Sequence, residues 1–163
     1  MNEKWTAVPQ ADETHIELVR ADDARFQALC RALDEYLDAV SGREKQRAFY
    51  DQYNKTADLL AVALVLEGDQ AVGCGGIKGH GDETAELKRM FVRPECRGKK
   101  IGARIVNALA AEARARGFKR LILETGKALA PAQALYLGLG FQIIENYGQY
   151  RGLENSVCME LKL

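Results

Sequence analysis

The sequence has few of the residues that form metal centres or covalent cross-links. It contains two histidines and four cysteines, and no two cysteines form a CxxC pair. Structural zinc sites use closely spaced cysteine and histidine ligands, so no metal site is expected. The cysteines are expected to be reduced thiols, and they are Cys30, Cys74, Cys96 and Cys158.

The sequence also lacks an excess of charge and a long apolar run. Its 23 lysines and arginines balance 23 aspartates and glutamates, which gives no reason to expect nucleic acid or an acidic membrane as a partner. No apolar segment approaches the roughly 20 residues that cross a bilayer as a helix, and the polar first residues do not resemble a secretory signal. We therefore expect a cytoplasmic protein with no membrane partner.

Length and composition fit one globular domain. The chain has 163 residues, of which 47% are apolar and 28% are charged, and this balance is typical of a folded domain of ordinary size. The polar residues 1–12 are predicted to form a flexible N-terminal tail. The rest of the chain, 13–163, is predicted to be a single domain.

Hydrophobic periodicity predicts a mixed α/β fold. Apolar residues recur at three- and four-residue spacing over 22–40 and again from residue 101 to Gly117, as in amphipathic helices. Three glycines in one predicted strand, Gly73, Gly75 and Gly76, indicate a bulge or a close backbone approach. The remaining predicted elements are strands at 15–20, 59–66, 71–78, 84–92, 120–124, 141–144 and 157–163, and helices at 43–53 and 131–138.

A basic turn between a strand and a long helix is the most informative segment. It reads ELKRMFVRPECRGKKIGARIVNALAAEARARG. Such a turn directs unpaired backbone N–H groups and the positive end of the helix dipole at one point, which favours an anion such as a diphosphate. Arg97, Lys99, Lys100 and Arg104 are expected to add positive charge there. The Walker motif and the GxGxxG motif are absent, so ATP and NAD are poorly supported.

Two motifs resemble the GNAT superfamily of N-acetyltransferases. RPECRGKKIG resembles its pyrophosphate-binding motif, and PAQALYLGLGFQII resembles its second signature. The resemblance covers roughly Leu59 to Phe141, and the C-terminal sequence is similar to a subgroup of small bacterial members. It implies a GNAT-type acyl-CoA N-acyltransferase fold, in which helices flank a mixed, mostly antiparallel central sheet. It also implies acetyl-CoA as cosubstrate, without a metal, and members often form homodimers.

The resemblance assigns the residues that bind the cosubstrate. The pantetheine arm is expected to pair with the strand backbone of Met90, Phe91 and Val92, as an additional strand would. The diphosphate is expected on the turn formed by Arg97, Gly98, Lys99, Lys100, Ile101, Gly102 and Ala103.

The resemblance also implies direct transfer of the acetyl group to an amine. Tyr136 corresponds to the tyrosine that is proposed to protonate the leaving thiolate. Glu86 stands where some histone-type members have a glutamate that takes a proton from the amine, directly or through water; alternatively, it is the solvent-facing residue of an alternating strand. No covalent enzyme intermediate is required, so the cysteines are not expected to act as nucleophiles.

The acceptor is expected to be a primary amine of a small molecule or a peptide. Glu124 ends a strand at the edge where α/β sheets bind ligands, so it binds a cationic acceptor or forms an ion pair with Lys127 or Arg120. Tyr36, with Tyr50 and Tyr53, lines the acceptor cleft or packs in the core. The segment with Tyr147, Tyr150 and Asn155 forms either a lid or a subunit contact.

Two positions depart from the family motifs and leave other functions open. Lys100 replaces the first motif glycine, and it can supply its backbone N–H if its φ is ordinary. Leu129 replaces an asparagine that many members have. These departures motivate an alternative function as a non-catalytic acyl-CoA-binding regulatory module. The basic turn alone would also fit a nucleotide-phosphate binder of another fold.

Overall fold

A computed structural model of the chain describes residues 13–41 and 50–163. The predicted tail at 1–12 and most of the predicted second helix at 43–53 lie outside these residues. Within the described ranges, no helix is long and apolar enough to cross a membrane.

Seven strands and three complete helices occur in the described residues, in the predicted order. They are β1 (Thr14–Val19), α1 (Ala24–Ser41), β2 (Ala61–Glu67), β3 (Gln70–Gly79), β4 (Thr84–Val92), α2 (Ile101–Ala115), β5 (Arg120–Gly126), α3 (Ala130–Gly138), β6 (Gln142–Ile144) and β7 (Ser156–Lys162). Gly117 ends α2 with a φ of +88°, which is the left-handed conformation that glycine adopts most easily after a helix.

The strands form one sheet in the order β1-β2-β3-β4-β5-β7-β6. All neighbours are antiparallel except β4 and β5, which run parallel. The β4–β5 pairing covers only Thr84 to Glu86 on one strand and Arg120 to Ile122 on the other. Both strands continue beyond these pairs without pairing to each other, so the sheet opens at this point.

A bulge in β4 lies beside the opening. Cys74 of β3 pairs with Phe91, whereas Gly76 pairs with Lys88, so the single residue Gly75 faces two residues of β4. One of these two, Arg89, has a φ of +57°. A Cβ on Gly75 would overlap the Met90 sulfur. The glycine prediction is confirmed, because the bulge requires a residue without a side chain on the facing strand.

Apolar side chains cover both faces of the sheet. On one face, α1 buries Phe26, Leu29 and Leu33 against the β2 residues Val62 and Leu64. The opposite face packs against α2, whose buried residues include Ile101, Ile105 and Leu109. Burying each large apolar side chain contributes about 1.5–3 kcal/mol. Both faces of the sheet around the opening between β4 and β5 are therefore packed against helices.

Candidate active site

A cavity of about 600 Å³ occupies the opening between β4 and β5. Its walls come from Leu87–Val92 of β4, Leu123–Gly126 of β5, the turn before α2, and residues of α1 and α3. Three stretches of chain that are distant in sequence, within 33–54, 87–103 and 123–136, therefore meet at one site. The size suits a small molecule or the arm of a larger one.

One wall of the cavity is an edge of β4 that has no strand partner. Met90, Phe91 and Val92 all line the cavity, and they lie beyond the last β4–β5 pair at Glu86. Unpaired backbone donors and acceptors can bind an extended ligand as an added strand. The Val92 carbonyl already accepts a hydrogen bond from Arg97 Nε at 3.1 Å.

The turn before α2 contains two left-handed residues. Gly98 has a φ of +85° and Lys100 has a φ of +61°. Both line the cavity, as do Ile101, Gly102 and Ala103 at the start of the helix. Left-handed residues beside a helix N-terminus produce a concave set of N–H groups that suits a phosphate.

The cations of the turn divide into two groups. Arg97 and Lys100 line the cavity. Lys99 does not, and its ammonium lies 3.6 Å from a Glu67 carboxylate oxygen. The Arg104 guanidinium donates to the Thr14 hydroxyl of β1. The side chains of Lys99 and Arg104 therefore contact groups outside the cavity, whereas those of Arg97 and Lys100 are placed at its wall, and the expectation that all four cations surround the anion stays a prediction.

Arg97 is held in place by Tyr36 of α1. Its Nη1 donates to the Tyr36 hydroxyl at 3.1 Å, and its guanidinium carbon lies 4.5 Å from the centre of the tyrosine ring. The ring centres of Tyr36 and Phe91 are 6.0 Å apart. Tyr36 therefore lines the cavity next to the turn and contacts Arg97, and its role in the acceptor cleft stays a prediction.

Tyr136 lies in the α3 wall of the same cavity and is 6% exposed. Its ring meets Phe141 edge-on at a centroid distance of 5.6 Å. Burial raises the pKa of Tyr136 far above its ordinary value, and the charge of Glu124 raises it further. The phenol therefore keeps its proton and can act as a hydrogen-bond donor at neutral pH.

Glu86 does not line the cavity and is 1% exposed. Tyr147 donates a hydrogen bond of 2.5 Å to its Oε2, while the ammonium groups of Lys78 and Lys88 each lie 3.9 Å from its Oε1. Lys88 Nζ in turn donates to the Tyr150 hydroxyl at 3.2 Å. We call Glu86, Lys88, Tyr147 and Tyr150 the β4 polar cluster.

The family model that matches this chain is the acetyltransferase (GNAT) family, over residues 26–141. The chain belongs to the GNAT family. It is 36% identical over 140 residues to an IAA acetyltransferase of Azospirillum brasilense, covering 83% of this chain and 88% of that protein. Over 99 residues it is 36% identical to the uncharacterized N-acetyltransferase YsnE of Bacillus subtilis, and the match spans 60% of this chain and 66% of that protein's length.

Solved structures agree with this family. The solved structure described as an acyl-CoA N-acyltransferase of Klebsiella pneumoniae matches this chain with a TM-score of 0.78 at 29% sequence identity. The match covers 94% of this chain and 99% of that chain. A GNAT acetyltransferase of Elizabethkingia anophelis with acetyl-CoA bound has a TM-score of 0.68 at 17% identity, covering 94% and 100%, and so shares the fold. The predicted GNAT fold and acetyltransferase class are confirmed.

The two departures from the GNAT motifs have different structural consequences. The condition that Lys100 has an ordinary φ is not met, because the turn holds this residue in the left-handed region where the motif has glycine. Leu129 lines the cavity, so an apolar surface stands where an asparagine would offer polar atoms.

Glu124 of this GNAT domain has two predicted roles, which are binding of the acceptor and an ion pair with Lys127 or Arg120. Glu124 lines the cavity and accepts a hydrogen bond from Ser156 Oγ at 3.0 Å. Arg120, one of its proposed ion-pair partners, instead binds Glu160 at 2.9 Å.

The C-terminal tyrosines belong to the core. Tyr150 is 1% exposed and packs with Tyr50 and Cys158, while Tyr147 binds Glu86. Tyr150 is buried and Tyr147 is partly buried, so both side chains contribute to packing within the domain, and the lid and subunit-contact interpretations of this segment stay predictions.

Sequence reasoning missed Lys88 as a cavity residue. Strand alternation could have identified it, because residues two apart in a strand project from the same face of the sheet. A carboxylate at Glu86 therefore implies that Lys88 lies beside it, and Lys88 is both 8% exposed and part of the cavity wall. Burial lowers the pKa of Lys88, an effect that the neighbouring Glu86 opposes.

Proposed function

We propose that the chain transfers the acetyl group of acetyl-CoA directly to a primary amine of a small molecule or peptide. The observation that carries this proposal is the cavity that brings the unpaired β4 edge, the left-handed turn and Tyr136 together. The three walls contribute differently to the reaction, since the edge binds an extended arm, the turn binds an anion, and the phenol donates a hydrogen bond.

The residues present fit acetyl-CoA. The backbone of Met90, Phe91 and Val92 would hold the pantetheine arm, and the turn from Arg97 to Ala103 would hold the diphosphate. At Gly102 a Cβ would come within 2.9 Å of Leu135 Cδ2, so the glycine lets the start of α2 approach α3. This close approach brings the helix N-terminus into the cavity wall, where its N–H groups stabilise negative charge.

Bound acetyl-CoA supplies an activated thioester carbonyl. The amine nitrogen forms a bond to that carbon, the carbon–sulfur bond breaks, the amine loses one proton and the sulfur gains one. Tyr136 donates a hydrogen bond to the departing sulfur, which takes its proton from the solvent. Its raised pKa makes Tyr136 a weaker acid than a thiol of ordinary pKa near 8.5, so its main contribution is a hydrogen bond to the developing thiolate.

A carboxylate near the amine can take the proton that the amine loses. Glu124 lies in the cavity wall and can accept this proton there. Glu86 stays a candidate base that would act through a water molecule, because it does not line the cavity. A pH–rate profile of Glu124→Gln and Glu86→Gln distinguishes the two, since loss of the base removes the acidic limb of the profile.

The test uses the purified chain, acetyl-CoA and a panel of primary amines, with release of CoA thiol as the readout. Tyr136→Phe should lower kcat by about 10²-fold, in line with the loss of one positioned hydrogen-bond donor to a developing negative charge, with little change in the KM for acetyl-CoA. Tyr36→Phe removes a different cavity hydroxyl and should mainly raise that KM. Full kcat in Tyr136→Phe would exclude Tyr136 from the chemistry. Binding of acetyl-CoA without turnover across the panel would favour the regulatory-module alternative.

A further inference from the structure

Lys88 and Glu124 stand at equivalent positions on the two strands that flank the opening of the sheet. The last β4–β5 pair joins Glu86 to Ile122, and two residues further along each parallel strand stand Lys88 and Glu124. Both line the cavity. Paired strands lie about 4.8 Å apart, and the loss of pairing indicates a wider separation here. A cation and an anion therefore flank a gap with room for a small molecule.

Lys88 keeps hydrogen-bonding capacity for a ligand. Its Nζ donates to the Tyr150 hydroxyl at 3.2 Å, and the Glu86 oxygen at 3.9 Å is beyond hydrogen-bond distance. An ammonium group has three donors. Because Lys88 is largely removed from solvent, a ligand that brings a carboxylate to it would gain a charge-assisted hydrogen bond in a poorly hydrated place.

Glu124 lies on the side of the gap where the reaction takes place. Its charge contributes to the raised pKa of Tyr136, which places the carboxylate within electrostatic range of the phenol. Glu124 accepts a hydrogen bond from Ser156 Oγ at 3.0 Å and lies in the cavity wall. Its negative charge there favours an amine group close to Tyr136.

We propose that the acceptor is a small amine that also carries a carboxylate, of which an α-amino acid is the simplest form. Lys88 binds the carboxylate, and Glu124 holds the amine. This inference rests on the proposed acetyltransferase function and names its substrate class. A polyamine fits less well, because its second cation would face Lys88.

The chain offers a matched control in Lys78. Its ammonium lies at the same 3.9 Å from Glu86, but Lys78 is not part of the cavity wall. Lys78→Met and Lys88→Met therefore remove the same charge from the same carboxylate. Only Lys88→Met removes a positive charge from the cavity wall.

The experiment measures kcat/KM for sets of three acceptors: an α-amino acid, its carboxamide and its decarboxylated amine. We expect the wild-type chain to prefer the acid by about ten- to a hundredfold, the range for a hydrogen bond between charged groups. Lys88→Met should reduce the preference to near one, mainly through KM, and Lys78→Met should keep it. If Lys88→Met does not fold, as judged by circular dichroism, Lys88→Arg serves instead and should keep the preference for the acid.

The outcomes separate the two proposals. Release of CoA thiol with all three acceptors at equal kcat/KM would overturn the carboxylate inference and leave the acetyltransferase proposal standing. Absence of CoA release with every primary amine in the wider panel would overturn the acetyltransferase proposal itself. Loss of the preference in both Lys78→Met and Lys88→Met would assign the effect to Glu86 and not to a contact with the acceptor.

Discussion

The turn at residues 97–103 and the β4 polar cluster both place charges near the cavity, but they do so in opposite environments. The turn is continuous in sequence, and its Lys99–Glu67 ion pair is 43% exposed on each side chain. The cluster joins residues as far apart as Lys88 and Tyr150, with Glu86 buried between them. An exposed ion pair contributes little to folding, whereas removing one partner of a buried pair is costly.

The largest expected effect is the loss of the Glu86 charge. Glu86→Gln should lower the free energy of unfolding by about 3 kcal/mol, because it leaves the buried Lys88 ammonium without its nearby anion. Urea unfolding followed by circular dichroism measures this change.

Glu67→Gln is the matched control from the turn region. It removes a carboxylate from Lys99 at 3.6 Å, and this exposed pair should be worth less than about 1 kcal/mol. Equal, small losses in the two variants would mean that the β4 polar cluster does not contribute to stability as a buried ion pair.

The cluster should also make the fold sensitive to alkali. Burial is the first cause of the raised pKa of Tyr147 and of Tyr150, and the Glu86 charge adds to both. These phenols stay protonated in the folded chain but ionise near pH 10 in the unfolded chain. The unfolded state therefore binds fewer protons, and stability falls as the pH rises above about 10. Tyr136 and the buried thiols of Cys30, Cys74 and Cys158 act in the same direction.

Tyr147→Phe removes one of these phenols and so measures its share of the loss of stability at high pH. Above pH 10 the wild-type chain should lose stability more steeply than the variant by about 1.4 kcal/mol per pH unit. The contribution of Lys88 to this pH dependence has the opposite sign, because its lowered pKa makes stability rise with pH up to about 10.5. Lys88 is present in both proteins, so its contribution cancels in the comparison. Parallel curves for the two proteins would contradict the proposed burial of Tyr147.

The contrast between turn and cluster also explains what the sequence could predict. The strand, turn and helix around Arg97 were predictable because hydrophobic period, glycine positions and motif all lie within about thirty residues. The partners of Glu86 were not, because Tyr147 reaches it from a loop 61 positions away. No local pattern specifies that contact, which depends on how β7 and its preceding loop pack across β5. The side-chain directions of Lys99 and Arg104 were missed for a related reason, since both are set by distant residues, Glu67 and Thr14.

The smallest expected effect lies in the turn and concerns backbone conformation alone. Lys100→Gly should stabilise the chain by about 0.5–1 kcal/mol, because Lys100 has a φ of +61° that glycine adopts without steric cost. Gly98→Ala is the reverse change in the same turn. It should destabilise the chain by a similar amount through its φ of +85° alone, because no atom lies within 4 Å of an added Cβ and no clash contributes.

Thermal unfolding and the Kd for CoA should be measured together. A stabilised Lys100→Gly chain that binds CoA as tightly as wild type would show that the turn binds the diphosphate through its main chain, whereas a weaker affinity would assign part of the binding to the Lys100 ammonium.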